Sequence, residues 1–203
     1  MKDLKKYHST NIQVYESRAK AWDCQRSKIF FEKFWIDRVI MHLKPGSDVL
    51  DLGCGAGIPI SEYIISKGFS LVGVDAARSM IDICQERFPD SRWLQMDMRN
   101  LELNKKFNAV LSWDAFFHLS QDEQRKVLVD IAKYIQPGGV LLLTIGDREG
   151  EVLGAVDGEI VYHSSLSEKE YRQILEAQGF VSIHFVFRDP ECGDRSIVFA
   201  IKS

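Results

Sequence analysis

The chain has 203 residues, 45% hydrophobic and 27% charged, enough for one domain with a full core and without the composition of a disordered chain. With 26 basic against 29 acidic residues the formal net charge is −3, which speaks against a dedicated binder of long nucleic acids. The four cysteines form no C-x-x-C pair, the five histidines show no ligand spacing, and neither a signal peptide nor a long apolar run is visible. We therefore expect a cytoplasmic protein with no metal and no membrane partner.

Taken in chain order, residues 14–43 read as helical. Phe30, Phe31, Phe34, Trp35, Val39 and Leu43 form an apolar face at helical spacing, and Lys44-Pro45-Gly46 ends it. A buried strand, 47–52, runs into Gly53-Cys54-Gly55-Ala56-Gly57, and a helix through Ile64 and Ile65 ends at Gly68. A second strand (71–75) and helix (79–88) follow, then strands at 93–96 and 107–113, a helix over 121–136, and the apolar strand 140–145. Strands alternating with helices predict a largely parallel sheet covered on both faces.

The pattern then changes. Residues 151–156 and 159–163 flank Asp157-Gly158, a two-residue hairpin signal, so 147–166 reads as a hairpin insertion. A helix over 167–178 precedes two strands, 182–187 and 195–201, whose short connection makes them antiparallel. We expect a single domain over 1–203, with 1–45 as a helical lid or docking segment.

The loop after the first strand has the spacing G-x-G-x-G, not the G-x-G-x-x-G of a dinucleotide fingerprint, and no G-K-[ST] follows it. Three successive strands end in or beside an aspartate, Asp51, Asp75 and Asp97, while the loop carries no Lys or Arg. Such a site disfavours a pyrophosphate. It suits S-adenosylmethionine (SAM), which sets a sulfonium and an ammonium against one carboxylate. Asp75 is placed to accept from the ribose hydroxyls, Asp97 from the adenine amino group, and Asp51 to meet the methionyl end or to brace the loop.

At this point the residues resemble the class I SAM-dependent methyltransferases. Val49-Leu50-Asp51-Leu52-Gly53-Cys54-Gly55-Ala56-Gly57 is similar to that family's first motif. Val72-Gly73-Val74-Asp75 with Ser79-Met80, Gln95-Met96-Asp97-Met98, Leu111-Ser112-Trp113-Asp114 and Pro137-Gly138-Gly139 look like the later ones. The resemblance implies an α/β Rossmann-like sheet of seven mostly parallel strands, order 3-2-1-4-5-7-6, with the last strand antiparallel. It implies that Gly53 and Gly55 pack on the methionyl part, that Met80 and the Met98 amide contact the adenine, and that the Ser112 carbonyl accepts from the ammonium. Cys54, Gly57, Ala76 and Trp113 complete the expected cofactor wall. No N/D-P-P-Y motif or Pro-Cys nucleophile is present.

On the acceptor side, Trp113-Asp114-Ala115-Phe116-Phe117-His118 is unusually aromatic, and Tyr162 and His163 lie on the predicted hairpin. We expect His118, His163 and Tyr162 to be catalytic. Tyr15, Arg18, Trp22, Asp114 and Phe117 are the expected substrate contacts, the first three sharing a helix face. The expected reaction is in-line methyl transfer from SAM to a small-molecule acceptor by a monomer or homodimer. The alternatives are a methyltransferase acting on protein or RNA, or a non-catalytic SAM-binding protein.

Overall fold

A computed structural model of the chain describes residues 4–26 and 29–203. In it the amino-terminal helical segment is made of two helices. α1 spans Leu4–Gln25 and α2 spans Lys33–Ile40, with residues 27 and 28 outside the described part. α2 buries Trp35, Ile36 and Val39 on the face that the aromatic spacing predicts. The break follows from chemistry: α1 is polar and binds through hydrogen bonds, whereas α2 is held by its apolar face.

The central strands are β1 (Asp48–Leu52), β2 (Ser70–Asp75), β3 (Arg92–Gln95), β4 (Phe107–Ser112) and β5 (Ile135–Ile145). Between them run α3 (Ile60–Ser66), α4 (Arg78–Arg87) and α5 (Gln121–Lys133). After β5 come a two-stranded hairpin, β6 (Gly150–Val156) and β7 (Glu159–Ser165), then α6 (Glu168–Ala177), β8 (Phe180–Asp189) and β9 (Arg195–Lys202). The seven-stranded sheet has the order β3-β2-β1-β4-β5-β9-β8, and β9 is antiparallel to both neighbours. With the hairpin set aside, this is the expected topology.

Strand alternation divides the core in two. Leu50, Leu52, Val110, Leu141 and Leu143 pack with Val127, Leu128 and Ile131 of α5. Val49, Ala109, Leu111 and Leu142 pack on the other face with Trp35, Ile36, Ile64 and Ile81. The unbroken apolar run of β5 is explained by burial on both faces, each Leu contributing about 1.5–3 kcal/mol. α5 starts on a capping box, Ser120 with Glu123, and ends three residues before the expected Gln136, because Ile135 already pairs with Phe107 in the sheet.

The hairpin turn places Asp157 and Gly158 at φ 47° and 79°, the left-handed pair that a two-residue turn requires. α1 lies along β7, where Asn11 both accepts from the Tyr162 amide and donates to the Tyr162 carbonyl, each at 2.9 Å. Polar contacts tie α1 across the molecule. His8 meets Glu123 at 2.6 Å, Glu16 accepts from Ser79, and Arg87 Nη1 donates to Asp23 at 2.6 Å. Among the described residues no helix is long and apolar enough to cross a membrane.

Candidate functional site

The carboxyl ends of β1, β2 and β4 open into a cavity that α1 covers, lined by the glycine loop, Asp51, Asp75, Met80, Asp97, Trp113 and Tyr15 among others. The loop is folded for close approach. Gly53 has φ 75°, and a Cβ there would lie 2.2 Å from the Ala115 Cβ, so no larger residue fits. The Gly53 and Cys54 amides donate to the Val74 carbonyl at 2.7 and 3.0 Å, tying the loop to the end of β2.

Two carboxylates hold the floor. Asp75 accepts from the Gly55 and Ala77 amides, both at 2.9 Å, and Asp51 accepts from Ser61 Oγ at 2.6 Å. Burial pushes both carboxyls up to about 6, and no ion pair engages either of them among the described residues. Each has accepting capacity left over. A ligand that brings positive charge and hydroxyl donors would relieve this desolvation, whereas a pyrophosphate would worsen it. Ala76, Met80, Met96 and Met98 supply an apolar wall beside Asp75. The charge and the apolar wall of the cavity therefore fit the SAM that the sequence motifs lead one to expect.

Asp97 has a more constrained place than expected. Its carboxylate accepts from the Arg99 amide and Nε, each at 2.9 Å. Burial works to raise it, but the Arg99 guanidinium outweighs this and holds the carboxyl below the usual range. Arg99 also meets Glu123, the partner of His8, so the expected adenine contact is joined to α1.

A second, wider cavity of about 610 Å3 lies next to the first and is formed by Phe117, Ile145, the hairpin residues Ala155, Val156 and His163, and the β8–β9 turn. Tyr15, Trp22 and Asp114 line both cavities and form the boundary between them. At that boundary His118 Nδ1 lies 3.0 Å from the Tyr162 carbonyl and Nε2 lies 2.8 Å from the Tyr15 hydroxyl. The Tyr162 carbonyl only accepts and lies closer to Nδ1 than the Asn11 amide nitrogen at 3.3 Å, so Nδ1 is assigned the proton, Nε2 accepts from Tyr15, and the Tyr15 oxygen keeps its lone pairs. Burial, reinforced by the neighbouring His163, pulls His118 down to about 4 and leaves it neutral at pH 7. Burial, with Asp114 and Asp75 nearby, raises the Tyr15 hydroxyl and keeps it protonated. His163 rests on Phe117 and His118, with ring centroids 4.8 Å apart in both cases.

Of the expected cofactor residues, Asp51, Gly53, Cys54, Gly55, Asp75, Ala76, Met80, Asp97, Met98 and Trp113 line the first cavity. Gly57 and Ser112 do not. Gly57 faces Cys84, Phe88 and Trp93, and the Ser112 hydroxyl donates to the Leu52 carbonyl. The acceptor side needs two corrections. Tyr162 lines neither cavity; it is buried, with its hydroxyl on Glu151, because it points to the opposite side of β7 from its neighbour His163. Arg18 also lines neither, since its guanidinium reaches Glu159 at 2.8 Å and Asp157 at 3.7 Å on the hairpin tip.

Sequence reasoning missed Asn11, Arg26 and Arg99 on the first cavity and Arg188 and Arg195 on the second. The turn-rich stretch before β9 was the available signal for the last two. Asp114 and Asp147 both line the second cavity, and among the described residues no cluster of three metal-ligating side chains exists.

Residues 49–139 match a family model described as a methyltransferase domain. The chain is 28% identical over 205 residues to dTDP-3-amino-3,4,6-trideoxy-alpha-D-glucopyranose N,N-dimethyltransferase of Streptomyces venezuelae, covering 93% of this chain and 81% of the relative. Among solved structures it is similar to 1,6-didemethyltoxoflavin-N1-methyltransferase of Burkholderia thailandensis, which holds its acceptor and S-adenosylhomocysteine. The TM-score is 0.74 at 20% identity, over 100% of this chain and 92% of that one. A SAM-bound amino pentose methyltransferase from Micromonospora echinaspora matches with TM-score 0.70 at 20% identity, over 94% and 97%. The motif residues, the cavity they build and these relatives agree on a methyltransferase that uses SAM as its cofactor.

Proposed function

We propose that this enzyme methylates an amine nitrogen of a small molecule held in the second cavity. The observation that carries the reading is the boundary itself: Asp114, the Tyr15 hydroxyl and Trp22 face both cavities. SAM supplies an electrophilic methyl group and a neutral thioether as leaving group. Everything else is positioning. The Tyr15 oxygen, its proton committed to His118, accepts a hydrogen bond from the acceptor N–H and aims the nitrogen lone pair at the boundary. As the nitrogen is methylated it becomes positive, and the Asp114 carboxylate at the boundary, its charge partly offset by Arg195, would accept a hydrogen bond from it. Trp22 and Phe117 exclude water and offer aromatic faces to the cationic centre.

In this reading His118 orients Tyr15 and is not the base, because a ring pulled down to about 4 cannot hold a proton at neutral pH. The amine enters neutral, and the proton of the product passes to solvent at the open side. The names of the relatives support a small nitrogen acceptor, since one dimethylates an amino sugar nucleotide and another an N1 position. α1 would act as the lid, its polar latches releasing for cofactor exchange. The test is methyl transfer from labelled SAM to a panel of amino sugars and heterocyclic amines, each paired with its hydroxyl analogue. Label is expected on amines alone. Label confined to hydroxyl compounds, to protein or to RNA would refute the proposal.

A further inference from the structure

Asp114 is held in an unusual way. Its backbone φ is 51°, a conformation that L residues avoid, and its amide donates to Thr144 Oγ1 at 2.7 Å. Its carboxylate accepts from Arg195 Nη2 at 2.9 Å and Nε at 3.3 Å. Arg195 comes from the start of β9 and is itself fixed by two further contacts, one of them on a ring that it shares with Arg26. Nη1 donates to the Gly193 carbonyl at 2.9 Å, the guanidinium lies 4.9 Å from the Phe31 ring centroid, and Arg26 lies 5.5 Å from the same centroid. Arg26 in turn pairs with the buried Glu32. The guanidinium is thus a planar fork with its donors assigned, matched to one carboxylate.

The charge of Asp114 is felt by its surroundings: it raises both His163 and His118 against the burial that lowers them. The other charged groups on the second cavity are Asp147, Arg148, Arg188 and Asp194, of which Asp147 and Arg148 pair at 3.5 Å.

The geometry points to Arg195 as a positioning residue: it fixes the Asp114 carboxylate at the boundary and offsets its charge. The acceptor nitrogen then meets an oriented hydrogen-bond acceptor, not a bare anion. The inference rests on the reading of the second cavity as the acceptor site, but its test needs no acceptor. Lysine at this position keeps the charge without the fork, and glutamine removes the charge.

The experiment is histidine titration by NMR on the full chain saturated with S-adenosylhomocysteine. Arg195→Gln strips the counter-charge from Asp114, so the His163 pKa should rise by about 0.5 pH unit or more. Adding Asp114→Asn to Arg195→Gln should abolish that rise, and Arg195→Lys should give a smaller one. In the two single variants S-adenosylhomocysteine affinity should stay within about threefold, since Arg195 does not line the first cavity. An unchanged His163 titration in Arg195→Gln, or a rise that survives Asp114→Asn, overturns the assignment. Should Arg195→Gln fail to fold, Arg195→Lys carries the test, and a His163 titration identical to wild type then overturns it. Failure of the amine panel with a normal His163 response would instead refute the function while leaving the clamp standing.

Discussion

Asp51→Asn should stabilise the ligand-free protein, and only at neutral to alkaline pH. Asp51 is 3% exposed, has Ser61 as its hydrogen-bond donor, and is pushed from 3.8 to about 6 by burial, with Asp75 adding to the rise. Because the folded-state value lies above the unfolded one, the folded protein holds this proton longer. Its contribution is fully present below about pH 4 and is lost as pH rises through about 6. At ~1.36 kcal/mol per pH unit, the loss above pH 7 amounts to ~3 kcal/mol as an order of magnitude. Asparagine keeps an oxygen for Ser61 and removes the charge, so Asp51→Asn should be about 1–3 kcal/mol more stable than wild type at pH 8 and nearly equal at pH 3.5. Asp75 titrates in both proteins, so its own contribution largely cancels in the comparison. Urea unfolding at the two pH values gives the numbers, and the same variant should gain less from added SAM. A variant no more stable than wild type at pH 8, or one with the same gap at both pH values, would refute the reasoning.

Other outcomes follow from the same geometry. Gly53→Ala brings a methyl against Ala115 at a positive φ, so thermal unfolding should fall by several degrees and calorimetric binding of SAM should be lost. Tyr162→Phe removes a hydroxyl that meets Glu151 and lines neither cavity, so SAM affinity should stay within threefold while stability drops by about 1 kcal/mol. If α1 is the lid, hydrogen exchange along Leu4–Gln25 should slow when S-adenosylhomocysteine is added; equal protection in both states would make it a fixed docking helix.

Local features were the legible ones. The glycine loop, Asp75 at a strand end and the Asp157-Gly158 turn each declare themselves within a few residues, and strand alternation fixes the sheet that brings them together. What failed needed either side-chain direction or distant partners. Tyr162 and His163 are adjacent on a strand, so they could not both face one pocket; the period of two should have separated them. Arg18 shares a helix face with Tyr15 and Trp22, but its length carries the guanidinium to the hairpin. Arg195 reaches Asp114 across 81 positions, which no local spacing reveals. Likewise, the split between α1 and α2 reflects what each packs against rather than a strong break signal in their own residues.

In the proposed function the cofactor presents its methyl group to the second cavity through the boundary formed by Tyr15, Trp22 and Asp114. A crystal structure of the complex with SAM tests it most directly. The account predicts both ribose hydroxyls on Asp75, the adenine against Met80 and Met98, and the methyl group directed past the Tyr15 hydroxyl toward Asp114 and His163. A ribose out of hydrogen-bond reach of Asp75, or a methyl group facing away from the second cavity, would contradict it.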